Sequence, residues 1–88
     1  MLTMTAGVNN RVAEDTKFAG HVYNSLVSFA KNDWGTVDSE DKETNDIGLK
    51  NLLNGNGGMV LAAYGEGEDK IWIIMNEESQ TVLFPNEY

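Results

Sequence analysis

The apolar positions of this chain keep a helical period over one stretch and fall into short strand-like runs over another. Between Thr16 and Lys31, Phe18, Val22, Leu26 and Phe29 recur at spacings of four, four and three, the signature of one helix face. Ala19, Tyr23, Val27 and Ala30 widen that stripe. Asp15 and Thr16 are suitable N-caps, Lys31 suits the negative end of the helix dipole, and Gly20 marks a candidate close-packing point. Past residue 58 the pattern shortens to three runs, Met59–Tyr64, Lys70–Met75 and Gln80–Phe84. Gly65-Glu66-Gly67-Glu68-Asp69 and Asn76-Glu77-Glu78-Ser79 separate them, which predicts strands joined by short turns in an antiparallel meander. The middle run, Ile71-Trp72-Ile73-Ile74-Met75, is wholly apolar and predicts a central strand buried on both faces. Pro85 ends the last strand.

The remaining segments are less regular. Thr5 is placed to cap a short helix over Val8–Glu14, and Met4 offers a second start, so Leu2 and Thr3 receive no assignment. Asn32-Asp33-Trp34-Gly35 breaks the long helix; Trp34 there either folds back over the core or stands out as a contact residue. Val37–Asn54 predicts another helix, with Asp38 or Ser39 as N-cap and Glu40 and Asp41 in its first turn. Ile47, Leu49, Leu52 and Leu53 give it a short apolar face, Gly48 is expected to divide it, and Asn54-Gly55-Asn56-Gly57-Gly58 ends it. Helices first and strands last predict an α+β fold: N-terminal helices packed on a C-terminal three-stranded antiparallel meander, in a single small domain over residues 1–88. A chain of this size buries only roughly 60–65% of its unfolded surface, so close packing or self-association through the sheet is expected to supplement the core. The second face of the central strand needs cover, from Ile47–Leu53 or from another copy of the chain.

Charge narrows the function classes. Fourteen acids against six bases give a net charge of −8, which disfavours direct binding to nucleic acid or to anionic membrane surfaces. The acidity is concentrated. Asp33–Asp46 holds six carboxylates against Lys42, and Glu66–Glu78 holds five against Lys70. On one side of the fold these blocks would form a negative face for a basic protein; ordinary solvated loops are the plainer explanation. The candidate contact residues are Trp34, Asp38, Glu40, Asp41, Glu43, Asp46, Glu66, Glu68 and Asp69.

Catalytic and cofactor motifs are not found. There is no cysteine, hence no disulfide or thiolate site, and His21 is the one histidine, so zinc with ordinary ligands is not expected. His21 also lacks a recognisable nucleophile partner. The glycines at 55, 57 and 58 precede a strand, whereas phosphate-binding glycines follow one and open a helix. A calcium loop begun at Asp38 or Asp41 lacks the required glycine at its sixth position. No cofactor is expected. No run approaches the roughly 20 apolar residues of a membrane span, and Met1–Thr5 lacks the features of a signal peptide, so a cytoplasmic location is expected.

Several phrases, taken in order, carry a resemblance: Thr5-Ala6-Gly7-Val8; Asp33-Trp34-Gly35; Asp41-Lys42; Asn45-Asp46; Lys70-Ile71-Trp72-Ile73-Ile74; and Thr81-Val82-Leu83-Phe84-Pro85-Asn86-Glu87-Tyr88. Together they resemble a family of small uncharacterised "plasmid-related" proteins of bacterial plasmids, phages and integrative elements. The resemblance spans nearly the whole chain, apart from an additional Leu53-Asn54-Gly55-Asn56 region. It implies a mobile-element setting and assigns no activity. The expectation from these readings is a non-enzymatic acidic interaction module with a basic protein partner, for example a host-defence or nucleic-acid-handling protein. The alternative is a small ligand-binding or enzymatic domain with a carboxylate-lined cleft near Trp34.

Overall fold

Each helix starts and stops where its terminal chemistry dictates. In the computed structural model, which describes all 88 residues, α1 covers Ala6–Glu14, α2 Thr16–Ala30 and α3 Ser39–Leu53. The side chain of Thr5 accepts from the Val8 amide, Asp15 from Lys17 and Phe18, and Asp38 from Asp41, so each helix has a capped N-terminus. Helix α2 closes with Asn32 in the left-handed region, and the amides of Asn32 and Asp33 bond the carbonyls of Phe29 and Ser28. Gly55 and Asn56 close α3 in the same way, on Leu52 and Asn51. Helix α3 runs through Gly48 without a break, contrary to the division expected there.

The expected three-stranded meander needs correction. The sheet has four strands, β1 (Leu2–Met4), β2 (Val60–Tyr64), β3 (Ile71–Met75) and β4 (Gln80–Leu83), in spatial order β1-β4-β3-β2. Strand β3 pairs antiparallel with β2 and β4, whereas β1 lies parallel to β4, making the sheet mixed. Three residues are too few to show a period, so β1 leaves no pattern in the sequence. Tertiary bonds fix it: Gln80 N–H donates to Met1 C=O, Thr5 N–H donates to Val82 C=O, and the hydroxyls of Thr3 and Thr81 meet at 2.9 Å.

Alternation sorts the sheet into two faces. Val60, Ala62, Tyr64, Ile71, Ile73 and Val82 point into the core, where they meet Val8, Phe18, Val22, Phe29 and Trp34. Burial of each large apolar side chain of this kind contributes about 1.5–3 kcal/mol. The opposite face carries Leu61, Ala63, Trp72, Ile74, Thr81 and Leu83. Here the expectation of burial on both faces fails, because Trp72 and Ile74 are only half-buried. Tyr88 lies edge-on to Trp72 at 5.6 Å between ring centroids. Helix α3 does not cover this face. Its Leu49 and Leu52 pack toward the core shared with α1 and α2, while Ile47 and Leu53 point outward, 63% and 78% exposed.

Helix α3 instead seals the β2 edge of the sheet. The Asn45 side chain donates to Leu61 C=O at 2.8 Å and accepts from Leu61 N–H at 3.1 Å, replacing a neighbouring strand at that residue. One step along, Ala63 N–H donates to Trp34 C=O, and Thr36 N–H donates to Ala63 C=O. Gly35 permits this approach: its φ is +79° and a Cβ would overlap the Ala63 carbonyl. Gly48 allows the same closeness between α3 and the Met59 carbonyl, so it serves as a contact point within the helix.

Candidate interaction surface

Capping and burial together aim the carboxylates of α3. Asn45, Gly48, Leu49 and Leu52 form the inward stripe, so Glu40 and Glu43 fall on the outward side. Asp38, Glu40, Asp41, Glu43 and Asp46 are all exposed. Glu40 and Asp41 in the first turn also favour the helix dipole, so the same charges aid folding. Asp41 borders a shallow cleft of about 240 Å³ shared with Thr44, Asn45, Met59 and Leu61, beside the half-open sheet face.

Three acids of this block have structural duties. Asp33 accepts from the Gly35 amide, Asp38 caps α3, and Asp46 accepts from Trp34 Nε1–H at 3.0 Å. That last bond bears on a predicted contact residue. Trp34 is 3% exposed and packs edge-on against Phe29 at 5.3 Å. It folds back into the core, as an amphipathic aromatic does when its N–H finds a partner. Its ring is therefore not on the surface, and it lines neither the cleft beside Asp41 nor the one beside Arg11.

The second acidic block divides. Glu66, Glu68 and Asp69 occupy the β2–β3 turn, while Glu77 and Glu78 lie beyond the opposite end of the five-residue β3. About 16 Å of extended chain separates the two groups. The turn is anchored from both helices below it: Arg11 donates to Glu68 C=O and pairs with Asp69, and His21 Nε2 meets Asp69 C=O at 2.9 Å. Arg11 also lies over the Phe18 ring at 4.3 Å. Asp33 belongs to the same corner, because Tyr64, two residues before Glu66, donates its hydroxyl to Asp33 C=O at 2.6 Å. Burial pushes the Tyr64 phenol well above the usual tyrosine range, and the Asp33 carboxylate adds to the effect.

Ion pairing is sparse. Of the fourteen carboxylates only Asp15 and Asp69 pair with a cation, and both pair with Arg11. A wider cleft of about 590 Å³, lined by Arg11, Glu68, Lys70, Phe84 and Pro85, brings two of the six bases together, but Arg11 is already engaged there. No three Asp, Glu or His side chains converge as a metal site. No helix is long and apolar enough to cross a membrane. Sequence reasoning missed Asn45, which is the residue that fixes α3 to the sheet and so orients the acidic face. Its signal was faint: one polar side chain within the inward stripe of an otherwise polar helix. The chain matches no protein-family model, no curated protein and no solved structure.

Proposed function

We propose that this chain is a non-enzymatic interaction module that presents carboxylates to a basic protein surface, partly as a phosphate backbone would. The observation that carries the reading is the surplus of exposed acids without a cationic partner, above all Glu40, Asp41 and Glu43 along α3. A net charge of −8 costs the compact state stability through self-repulsion, and a basic partner relieves that cost. The resemblance to plasmid-related proteins supplies the proposed setting, a bacterial mobile element, and with it a host-defence or nucleic-acid-handling protein as the class of partner.

The test is capture from bacterial lysate on immobilised protein, washed at low and at high salt. A partner retained at low salt, released at high salt, and lost by the combined variant Glu40→Gln, Asp41→Asn, Glu43→Gln is the expected result. Retention indifferent to both salt and the triple variant rules the acidic face out.

A further inference from the structure

We infer that the free edge of β1 is a pairing site for the β1 strand of a second copy of this chain. This inference is independent of the acidic-face reading. Strand β1 is outermost in the sheet. In its parallel ladder alternate residues bond to β4, as seen at Met1 C=O and Thr5 N–H. The N–H and C=O groups of Leu2 and Met4 therefore face away from the sheet, and no backbone bond within the chain uses them. Such a row is a template for another strand unless the edge is blunted by charge, proline, a bulge or a covering element. None of these is present along Leu2-Thr3-Met4, whose side chains are uncharged and whose backbone carries no charge beyond the Met1 ammonium that precedes it, and Met1 and Leu2 are 88% and 51% exposed. The β2 edge, by contrast, is closed by Asn45, Trp34 and Thr36.

The edge is complementary to itself. An antiparallel arrangement with a two-fold axis at Thr3 sets Leu2 opposite Met4 of the second copy. Each such pair exchanges two N–H···O=C bonds, and the two pairs use all four outward groups. The result is a continuous sheet of eight strands, with the half-open Trp72 faces of both copies on one side. Charge selects a second copy over a basic partner at this edge. Residues 1–10 contain no ionisable side chain, so the edge offers nothing to draw a cationic surface. It is also where two chains of −8 meet with least repulsion. The nearest acids, Glu78 in the turn before β4 and Glu87 bonded to Thr5, sit beyond the two ends of the strand.

Sedimentation equilibrium from micromolar to millimolar protein tests the pairing at low and at high sodium chloride. The weight-average mass is expected to rise from 9.7 kDa toward twice that value. The dimer is expected to tighten with salt, since screening removes net repulsion, the reverse of the salt response of a basic partner. Leu2→Pro deletes one outward donor while leaving the bonds to β4 in place, and is expected to keep the mass monomeric throughout, with an unchanged circular dichroism spectrum. Hydrogen exchange on the unaltered chain is the second readout: the Leu2 and Met4 amides gain protection as concentration rises, while that of Thr3 is protected at every concentration. A monomer at all concentrations and salts overturns the inference. So does a dimer undiminished in a folded Leu2→Pro variant, or exchange at Leu2 and Met4 that ignores concentration.

Discussion

The two edges of the sheet have opposite fates. At the β2 edge the chain closes the exposed backbone twice over, with an asparagine amide at Leu61 and with the loop backbone of Trp34 and Thr36 at Ala63. At the β1 edge three uncharged residues lie against β4 and nothing lies against them. The acidic helix belongs to the closed edge, and the residues without ionisable side chains belong to the open one. A sheet edge is thus protected by specific bonds where charge is dense and left bare where charge is absent.

The strongest challenge to this contrast is Asn45→Ala. It strands the buried-edge N–H and C=O of Leu61, and is expected to cost about 2–4 kcal/mol in urea unfolding. If instead Leu2→Lys at the open edge costs as much, the edges do not differ. The contrast requires Leu2→Lys to stay within about 0.5 kcal/mol, as an exposed substitution does. Gly48→Ala comes next, because its methyl group enters the Met59 carbonyl; a loss of about 1–3 kcal/mol is expected. Gly20→Ala in α2 is its control. Apart from its chain neighbours and its own helix backbone, no atom lies within 4 Å of a Cβ there, so the close-packing role suggested by the sequence is absent, and helix propensity should yield a gain of about 0.5–1 kcal/mol.

A pH scan sharpens the corner where Tyr64 meets Asp33. The folded phenol holds its proton above the ordinary tyrosine range, whereas the unfolded one releases it near pH 10. Above that pH the unfolded state binds fewer protons than the folded state, so stability falls as pH rises. Tyr64→Phe is expected to flatten that fall, read as urea midpoints on either side of pH 10.

What the sequence made legible was whatever rested on a period or a cap. The Phe18–Phe29 stripe, the N-caps Thr5, Asp15 and Asp38, and the apolar runs that became β2, β3 and β4 all carry their reason within a few neighbouring residues. The rest depended on partners distant in the chain. Thr3 meets Thr81 across 78 residues, and Asn45 meets Leu61 across 16. Trp34 could be read either way until Asp46 and Phe29 were seen to hold it. The candidate carboxylates were nameable from composition. That several of them cap, clasp or anchor the fold was not, because those duties depend on which backbone amides lie nearby.

The parallel union of the first strand with the last also sets an order of events. A ribosome delivers Leu2–Met4 long before Gln80–Leu83, so β1 has no docking partner until β4 has emerged. Closing so long a loop is slow, and contacts of this separation form late. Weakening β1 is therefore expected to hasten unfolding while leaving the refolding rate almost untouched. The seam between β1 and β4 thus waits for a strand made 78 residues later, and it shuts after the local contacts of the helices are in place.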